Sequence, residues 1–87
     1  MKKAILGIQV GGRSDTALEL QRILTEYGCY IKTRVGVHDT DPSKKICSEM
    51  GIILLDFVVG EDEKLAEFEE ALEKIDGIVV KKMEFDM

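Results

Sequence analysis

The stretch "MGIILLDFVV", residues 50–59, decides the fold that the sequence predicts. In an extended chain its side chains would be apolar on both faces, with Ile53, Leu55, Phe57 and Val59 on one face and Met50, Ile52, Leu54 and Val58 on the other. A strand that is apolar on both faces is typical of the middle of a sheet, where both faces are covered. We therefore predict a central β-strand here.

Three further segments have the composition of strands. Residues 2–10, "KKAILGIQV", are rich in aliphatic residues and run into Gly11-Gly12, and residues 78–86, "IVVKKMEFD", form the last strand. Residues 29–38, "CYIKTRVGVH", alternate, with Cys29, Ile31, Val35 and Val37 on one face and Tyr30, Lys32, Arg34 and His38 on the other. The polar segment 39–45, "DTDPSKK", is predicted to be a loop.

Two helices are predicted between these strands. The first has N-cap candidates at residues 14–16 and a stripe of apolar side chains at helical spacing: Leu20, Ile23, Leu24 and Tyr27. We expect Gly28 to end it in the left-handed conformation. The second spans about residues 61–75, with its buried stripe at Leu65, Phe68, Leu72 and Ile75, and Gly77 ends it.

The predicted order of elements is strand, helix, strand, strand, helix, strand. This order indicates an α+β fold of the ferredoxin-like βαββαβ type, with a four-stranded antiparallel sheet and two helices on one face. The first and third strands, which are the most apolar, would lie in the middle of the sheet. We expect residues 1–87 to form a single domain.

One face of this sheet would have no helices, although strands three and four place apolar side chains on it. Apolar patches beyond a few hundred Å² are rare on soluble monomers. The sequence therefore favours a homo-oligomer, dimer or tetramer, formed face to face or through an edge strand. The alternative is a face that long charged side chains partly cover.

Charge and hydropathy exclude several classes of partner. The net charge is −5, and residues 61–76 hold eight acidic and two basic residues, so no basic stripe favours direct binding to nucleic acid. No apolar run approaches the roughly 18–20 residues of a membrane span. The N-terminal apolar stretch is short and lacks a cleavage site, so we expect a cytoplasmic protein with reduced thiols.

The two cysteines and the single histidine do not have the spacing of a metal site. Cys29 and Cys47 are far apart in the sequence, and neither has a second ligand within one turn, so no metal or cofactor is predicted. We expect Cys29 to be a small buried side chain. The alternative is a transition-metal site shared between subunits, with His38 and Cys47 as ligands and Asp39 or Asp41 beside them. No arrangement of catalytic residues can be placed, so the protein is not expected to be an enzyme.

"IQVGGRS", residues 8–14, suggests a second kind of site. Gly11 and Gly12 precede a helix N-terminus, so backbone N–H groups there could meet an anion, and Arg13 could add positive charge. The alternative is a loop that needs glycine for its backbone angles. The segment is also similar to the phosphate cradle of acylphosphatases, but their catalysis uses an asparagine, and this chain has none. An acylphosphatase-like hydrolase is therefore only a minor alternative.

Four short motifs carry a resemblance to a known family: Glu26-Tyr27-Gly28, Arg34-Val35-Gly36, Ile52 through Asp56, and Gly77 through Lys81. Through them residues 24–85 resemble the ACT-like iron-only hydrogenase system regulators, which are related in fold to the C-terminal domain of the nickel-responsive repressor.

The resemblance implies a non-catalytic, oligomeric regulatory module with a small-molecule or metal effector. In ACT-like domains the ligand lies where the loop after the first strand meets a neighbouring subunit. On this basis the ligand-binding candidates are Gly11, Gly12 and Arg13, with Arg34 and His38 expected on the open face of the sheet. The repressor's nickel site uses several histidines, whereas this chain has one, so that site is not carried over.

Overall fold

The computed structural model describes residues 2–11, 14–41 and 46–87, and for residues 14, 15, 38–41 and 46–50 it describes the backbone alone. The elements are β1 (Lys2–Val10), α1 (Ser14–Glu26), β2 (Ile31–Asp41), β3 (Ile46–Phe57), α2 (Asp62–Glu73) and β4 (Ile78–Asp86). The strands form one antiparallel sheet in the order β2-β3-β1-β4. The predicted ferredoxin-like α+β fold, with the first and third strands in the centre, is confirmed.

The core lies between the sheet and the two helices. Alternate residues of the central strands are buried because they point toward the helices: Ala4, Leu6 and Ile8 of β1, with Leu55 and Phe57 of β3. The helical stripes are buried against them: Leu20, Ile23 and Leu24 of α1, with Phe68 and Leu72 of α2. The alternating apolar side chains of the strands and the apolar stripes of the helices therefore pack into one cluster, as predicted.

Four aromatic rings join the two helices to β3 at one end of this core. The ring of Phe68 lies 5.3 Å from that of Tyr27 and 5.6 Å from that of Phe57, measured between centroids. Tyr30 stacks on Phe57 at 6.2 Å. Aromatic pairs at such distances contribute more than their buried area alone, so this cluster is a main source of stability.

The end of α1 differs from the prediction. Gly28 is not among the glycines with positive φ, and the chain continues into a short 3-10 helix, Gly28–Tyr30, before β2 begins at Ile31. The Tyr30 N–H donates to the carbonyl of Tyr27 at 3.0 Å, and the carbonyl of Tyr30 accepts from Val58 N–H at 2.8 Å. Packing of the Tyr30 ring on Phe57 therefore keeps Gly28–Tyr30 in a 3-10 helix, where the sequence pattern predicted the start of a strand.

A register shift in β2 also corrects the predicted faces. Ile31 pairs with Phe57, but Thr33 pairs with Asp56, so the strand is irregular between them. Ile31 consequently packs against the core, whereas Val35, which pairs with Leu54, lies on the open face. The prediction that these two side chains share a face was wrong, because simple alternation cannot reveal a bulge.

The connection after α2 gives a first testable prediction. Gly77 has φ of 86°, a conformation that costs an L-residue roughly 1–2 kcal/mol, and the hydroxyl of Thr16 donates to the adjacent Asp76 carbonyl at 3.3 Å. We expect Gly77→Ala to lower the free energy of unfolding by about 1–2 kcal/mol in urea denaturation. Gly28→Ala is the control, because Gly28 lacks positive φ and a Cβ there meets nothing within 4 Å. Equal losses at both positions would contradict the strain argument.

No helix in the described part of the chain is long and apolar enough to cross a membrane.

Candidate functional site

A cleft of about 240 Å³ opens between α1 and the β2–β3 half of the sheet. It lies at the end of the sheet where β1 finishes and α1 begins. Its lining is largely apolar and consists of Val10, Ala17, Leu20, Gln21, Gly36, Val37, Gly51, Ile52 and Ile53. Concave apolar surfaces with a few polar groups are the usual form of small-molecule sites. This feature is therefore the candidate site, and we call it the effector cleft after the effector that the family resemblance implies.

The effector cleft exists because three small residues face one another. Gly36 of β2 pairs with Ile53, Gly51 of β3 pairs with His38, and Ala17 lies above them on α1. A Cβ placed on Gly36 would meet no atom within 4 Å, so the space over this strand is open. Glycine inside a strand weakens it and often marks a place where a ligand or another backbone comes close. The hollow is therefore encoded in the sequence of the two strands.

We call residues 11–13 the glycine loop; Gly11, its one described residue, lies beside this cleft. Gly11 directly follows Val10, which lines the cleft, and a Cβ on Gly11 would stand 3.9 Å from the carbonyl oxygen of Gly77. Gly12 and Arg13 lie outside the described residues. Their part in ligand binding stays a prediction.

Arg34 is not on the open face, which corrects its predicted position. It pairs with the buried Leu55, and its Nη2 atom donates to Oε1 of Gln21 on α1 at 2.8 Å. Gln21 lines the effector cleft, so Arg34 lies at the cleft's rim on the helix side of the sheet. The β2 register shift is the cause, because it exchanges the faces predicted for the residues that follow it.

The structure places the remaining predicted residues only in part. The backbone of His38 lies opposite Gly51, at the floor of the cleft, and Cys47 lies opposite Thr40 in the same pair of strands. The side chains of His38 and Cys47 are outside the description, so the shared metal site stays a prediction. Among the described residues no group of three or more His, Cys, Asp or Glu side chains could hold a metal ion. Cys29 is exposed, so its predicted burial was wrong.

The two arginines whose side chains are described differ in how their charges are neutralised. Arg22 of α1 bonds to Glu19 at 2.6 Å and to Glu26 at 3.2 Å, and its hydrogen bond lowers the pKa of Glu19. Arg34, by contrast, contacts the neutral amide of Gln21 and has no carboxylate partner within the described ranges. Its positive charge at the rim is therefore available for an anionic group.

A second hollow, of about 430 Å³, lies between α2 and the strands β1 and β4. Its walls carry five carboxylates and two lysines, and Lys82 bonds to Glu69 at 3.0 Å and to Glu84 at 3.3 Å. The hydrogen bond with Glu69 is the main cause of the raised pKa of Lys82. This hollow is acidic and mainly polar, whereas small-molecule sites are mostly apolar, so the effector cleft is the better candidate site.

The loop residues predicted from the sequence adjoin the cleft only at the end where Gly11 follows Val10. The prediction did not include Ala17, Gln21, Gly36 and Gly51. The two strand glycines were the available signal, because glycine is disfavoured inside strands and needs a reason there.

The fold has counterparts among solved structures. The chain is similar to the uncharacterized protein TM1266 from Thermotoga maritima, with a TM-score of 0.77 and 24% identity over 99% of this chain and 100% of that one. It is also similar to the ACT domain of GTP pyrophosphokinase from Chlorobium tepidum, with a TM-score of 0.61 and 18% identity over 93% and 96% of the two chains.

A third similar structure is CPII, a nitrogen regulatory PII-like protein from Thiomonas intermedia K12, bound to ADP, AMP and bicarbonate. Its TM-score is 0.55, and its identity is 13% over 100% of this chain and 96% of that one. No family model and no curated protein matches the chain. At these identities the likenesses concern the fold, and they confirm that this chain has the ACT-like form of the ferredoxin-like fold.

Proposed function

We propose that the protein is a non-catalytic, homo-oligomeric regulatory module that binds a small effector in the effector cleft. The observation that carries this proposal is the hollow over Gly36, which lies on an ACT-like fold beside the glycine loop. The likeness to an ACT domain and to a PII-like protein that holds ADP, AMP and bicarbonate supports a regulatory role. On the motifs quoted above, we also propose that the chain is one of the ACT-like iron-only hydrogenase system regulators. A cytoplasmic location is proposed because the N-terminal stretch lacks the features of a signal peptide.

The walls of the cleft suggest the chemistry of the effector. The lining contributes Val10, Leu20 and Ile53 as apolar contacts and Gln21 as a polar one. Arg34 adds a guanidinium group at the rim, a group suited to carboxylates and phosphates. A volume of about 240 Å³ is small for a ligand site. We therefore propose an anionic effector with a small apolar or planar part, such as an amino acid or the base end of a nucleotide.

Effector binding would be coupled to self-association through β2 and β3, which line the cleft and also contribute to the helix-free side of the sheet. Val37 and Ile52 line the cleft and are also about half exposed on the helix-free side of the sheet. An effector that contacts this segment changes self-association only by binding the two assembly states with different affinity. By linkage, assembly would change effector affinity by the same factor.

Filling the cleft is the test of this proposal. We expect Gly36→Val to retain the fold, because a Cβ at Gly36 meets no atom within 4 Å and a β-branched residue suits a strand. The probes are the twenty amino acids, AMP, ADP and bicarbonate, each added in thermal denaturation experiments. At least one probe should raise the Tm of the wild type, and Gly36→Val should abolish that increase.

Gly28→Ala is the matched control, since it also adds carbon to a glycine with open space around it but lies at the far end of α1. It should keep the full increase in Tm. If no probe shifts the wild type, or if Gly36→Val responds like Gly28→Ala, the cleft is not the effector site. The metal-responsive alternative would be favoured by a shift with Ni²⁺ or Zn²⁺ that survives Gly36→Val and is lost in His38→Ala.

A further inference from the structure

The helix-free side of the sheet carries apolar side chains from all four strands. We call these residues the open face: Ile5, Val35, Val37, Ile52, Leu54, Val79, Met83 and Phe85. Apart from Ile5, which is partly buried, each is between 38% and 53% exposed. The strand register makes them neighbours, since Ile5 pairs with Met83 and Leu54 pairs with Val35. The open face is thus one continuous surface.

The size of the open face is close to what a dimer needs. Taking about 200 Å² for a fully exposed large side chain, these fractions leave on the order of 600 Å² of apolar surface. The largest patch on a typical monomer is about 300–600 Å², and a standard interface buries about 800 Å² on each partner. A second copy would bury this patch together with its polar surroundings.

The charges on this side permit contact between identical copies. Lys3 and Asp56 lie at its border and form an ion pair with each other, so they cancel. Lys81 remains between Val79 and Met83 as the unpaired cation of the described part of the face. A contact between two such faces would bring one Lys81 from each copy into the interface, where the long side chain can extend to solvent at the rim. The edge strand β2, by contrast, carries Lys32, a charge that opposes edge-to-edge pairing.

The open face combines a hollow with side chains that protrude beside it. A hollow of about 310 Å³ lies over Gly7, which has no side chain to fill it, and a Cβ there would stand 3.6 Å from Cδ2 of Leu54. Leu54 and Met83 border this hollow and remain 38% and 53% exposed. A two-fold contact requires both a hollow and protruding side chains on the same patch, and the open face has both.

We propose that a second copy of this chain covers the open face, sheet against sheet, so that Leu54 or Met83 of each copy enters the hollow over Gly7 of the other. This inference rests on the self-association part of the proposed function and decides between its two modes, face and edge. The packed sheets would stand about 10 Å apart, as in other two-sheet packings.

Charge insertion on the open face tests the proposal by sedimentation velocity from about 1 to 100 µM protein. The wild type should be dimeric, and Leu54→Glu and Met83→Glu should each raise the dissociation constant at least ~100-fold, because a carboxylate would be buried in an apolar contact. Leu18→Glu is the matched control, since Leu18 is 73% exposed on α1 away from the sheet, and it should leave the dimer intact.

A wild type that is monomeric at the highest concentration overturns the proposal. The proposal is also overturned if Leu54→Glu and Met83→Glu both have the same dimer dissociation constant as Leu18→Glu. The latter result would indicate an edge contact. Far-UV circular dichroism shows that each variant is folded, and Met83, more exposed than Leu54, is the safer site. The Tm increase with the effector probes is measured on the same variants. It distinguishes an error in the proposed dimer contact from an error in the proposed effector site.

Discussion

Replacing Phe68 by alanine is expected to lower the free energy of unfolding by about 3–5 kcal/mol, measured by urea denaturation. Phe68 has no exposed surface, and its ring contacts Tyr27 at the end of α1 and Phe57 at the end of β3. Its removal therefore leaves a cavity where both helices meet the sheet. Aromatic contacts are lost together with the buried area.

Two further variants sharpen this result. Leu18→Ala removes a side chain of similar size from a position that is 73% exposed, and it should change stability by no more than about 0.5 kcal/mol. Phe68→Leu keeps much of the volume and should lose only about 1–2 kcal/mol. A loss below about 1 kcal/mol for Phe68→Ala would mean that the aromatic cluster is not central to the core.

The second large effect is expected at Lys3, whose ammonium group is mostly buried. Its side chain is only 15% exposed, and Nζ donates to the carbonyl of Phe57 at 3.0 Å and forms an ion pair with Asp56. Oδ1 of Asp56 is buried and has no other partner within the described residues. Lys3→Met keeps an aliphatic side chain of similar length but leaves the Asp56 carboxylate without its partner. We expect the free energy of unfolding to fall by about 2–3 kcal/mol.

A double-mutant cycle separates the ion pair from packing. Asp56→Leu alone leaves the ammonium of Lys3 without its carboxylate, whereas the double variant removes both charges. The double variant should therefore lose at least about 1 kcal/mol less than the sum of the two single losses. All measurements need one protein concentration, because the pair borders the open face and dimer formation adds to apparent stability. Additivity within about 0.5 kcal/mol would contradict the coupling.

Much of the fold was predictable because its strongest signals are local. The apolar alternation of residues 50–59 and the stripes that contain Leu20 and Phe68 identify a central strand and two core-facing helices without knowledge of tertiary contacts. The start of β2 was not predictable. The stacking of Tyr30 on Phe57 and the irregularity between Ile31 and Thr33 depend on residues more than twenty positions away in the chain.

The candidate site was predictable only at its loop end. Gly11 drew attention because glycines before a helix are a local signal. The effector cleft, however, depends on the register that brings Gly36 and Gly51 onto the same side of neighbouring strands, beneath Ala17. Periodicity shows which residues share a face of one strand, but pairing between strands is set by the whole sheet. For the same reason Arg34 was assigned to the wrong face.

A native mass spectrum of the wild type and of Gly36→Val, both as purified and without chelators, tests whether the protein self-associates and whether the effector cleft holds a ligand. We predict a wild-type oligomer, a dimer or a multiple of it, that carries a small non-metal adduct, and an oligomer of the same size without the adduct for Gly36→Val. The mass of the adduct would then begin to identify the effector. A wild type observed only as a bare monomer would contradict both the self-association and the effector binding proposed for this protein.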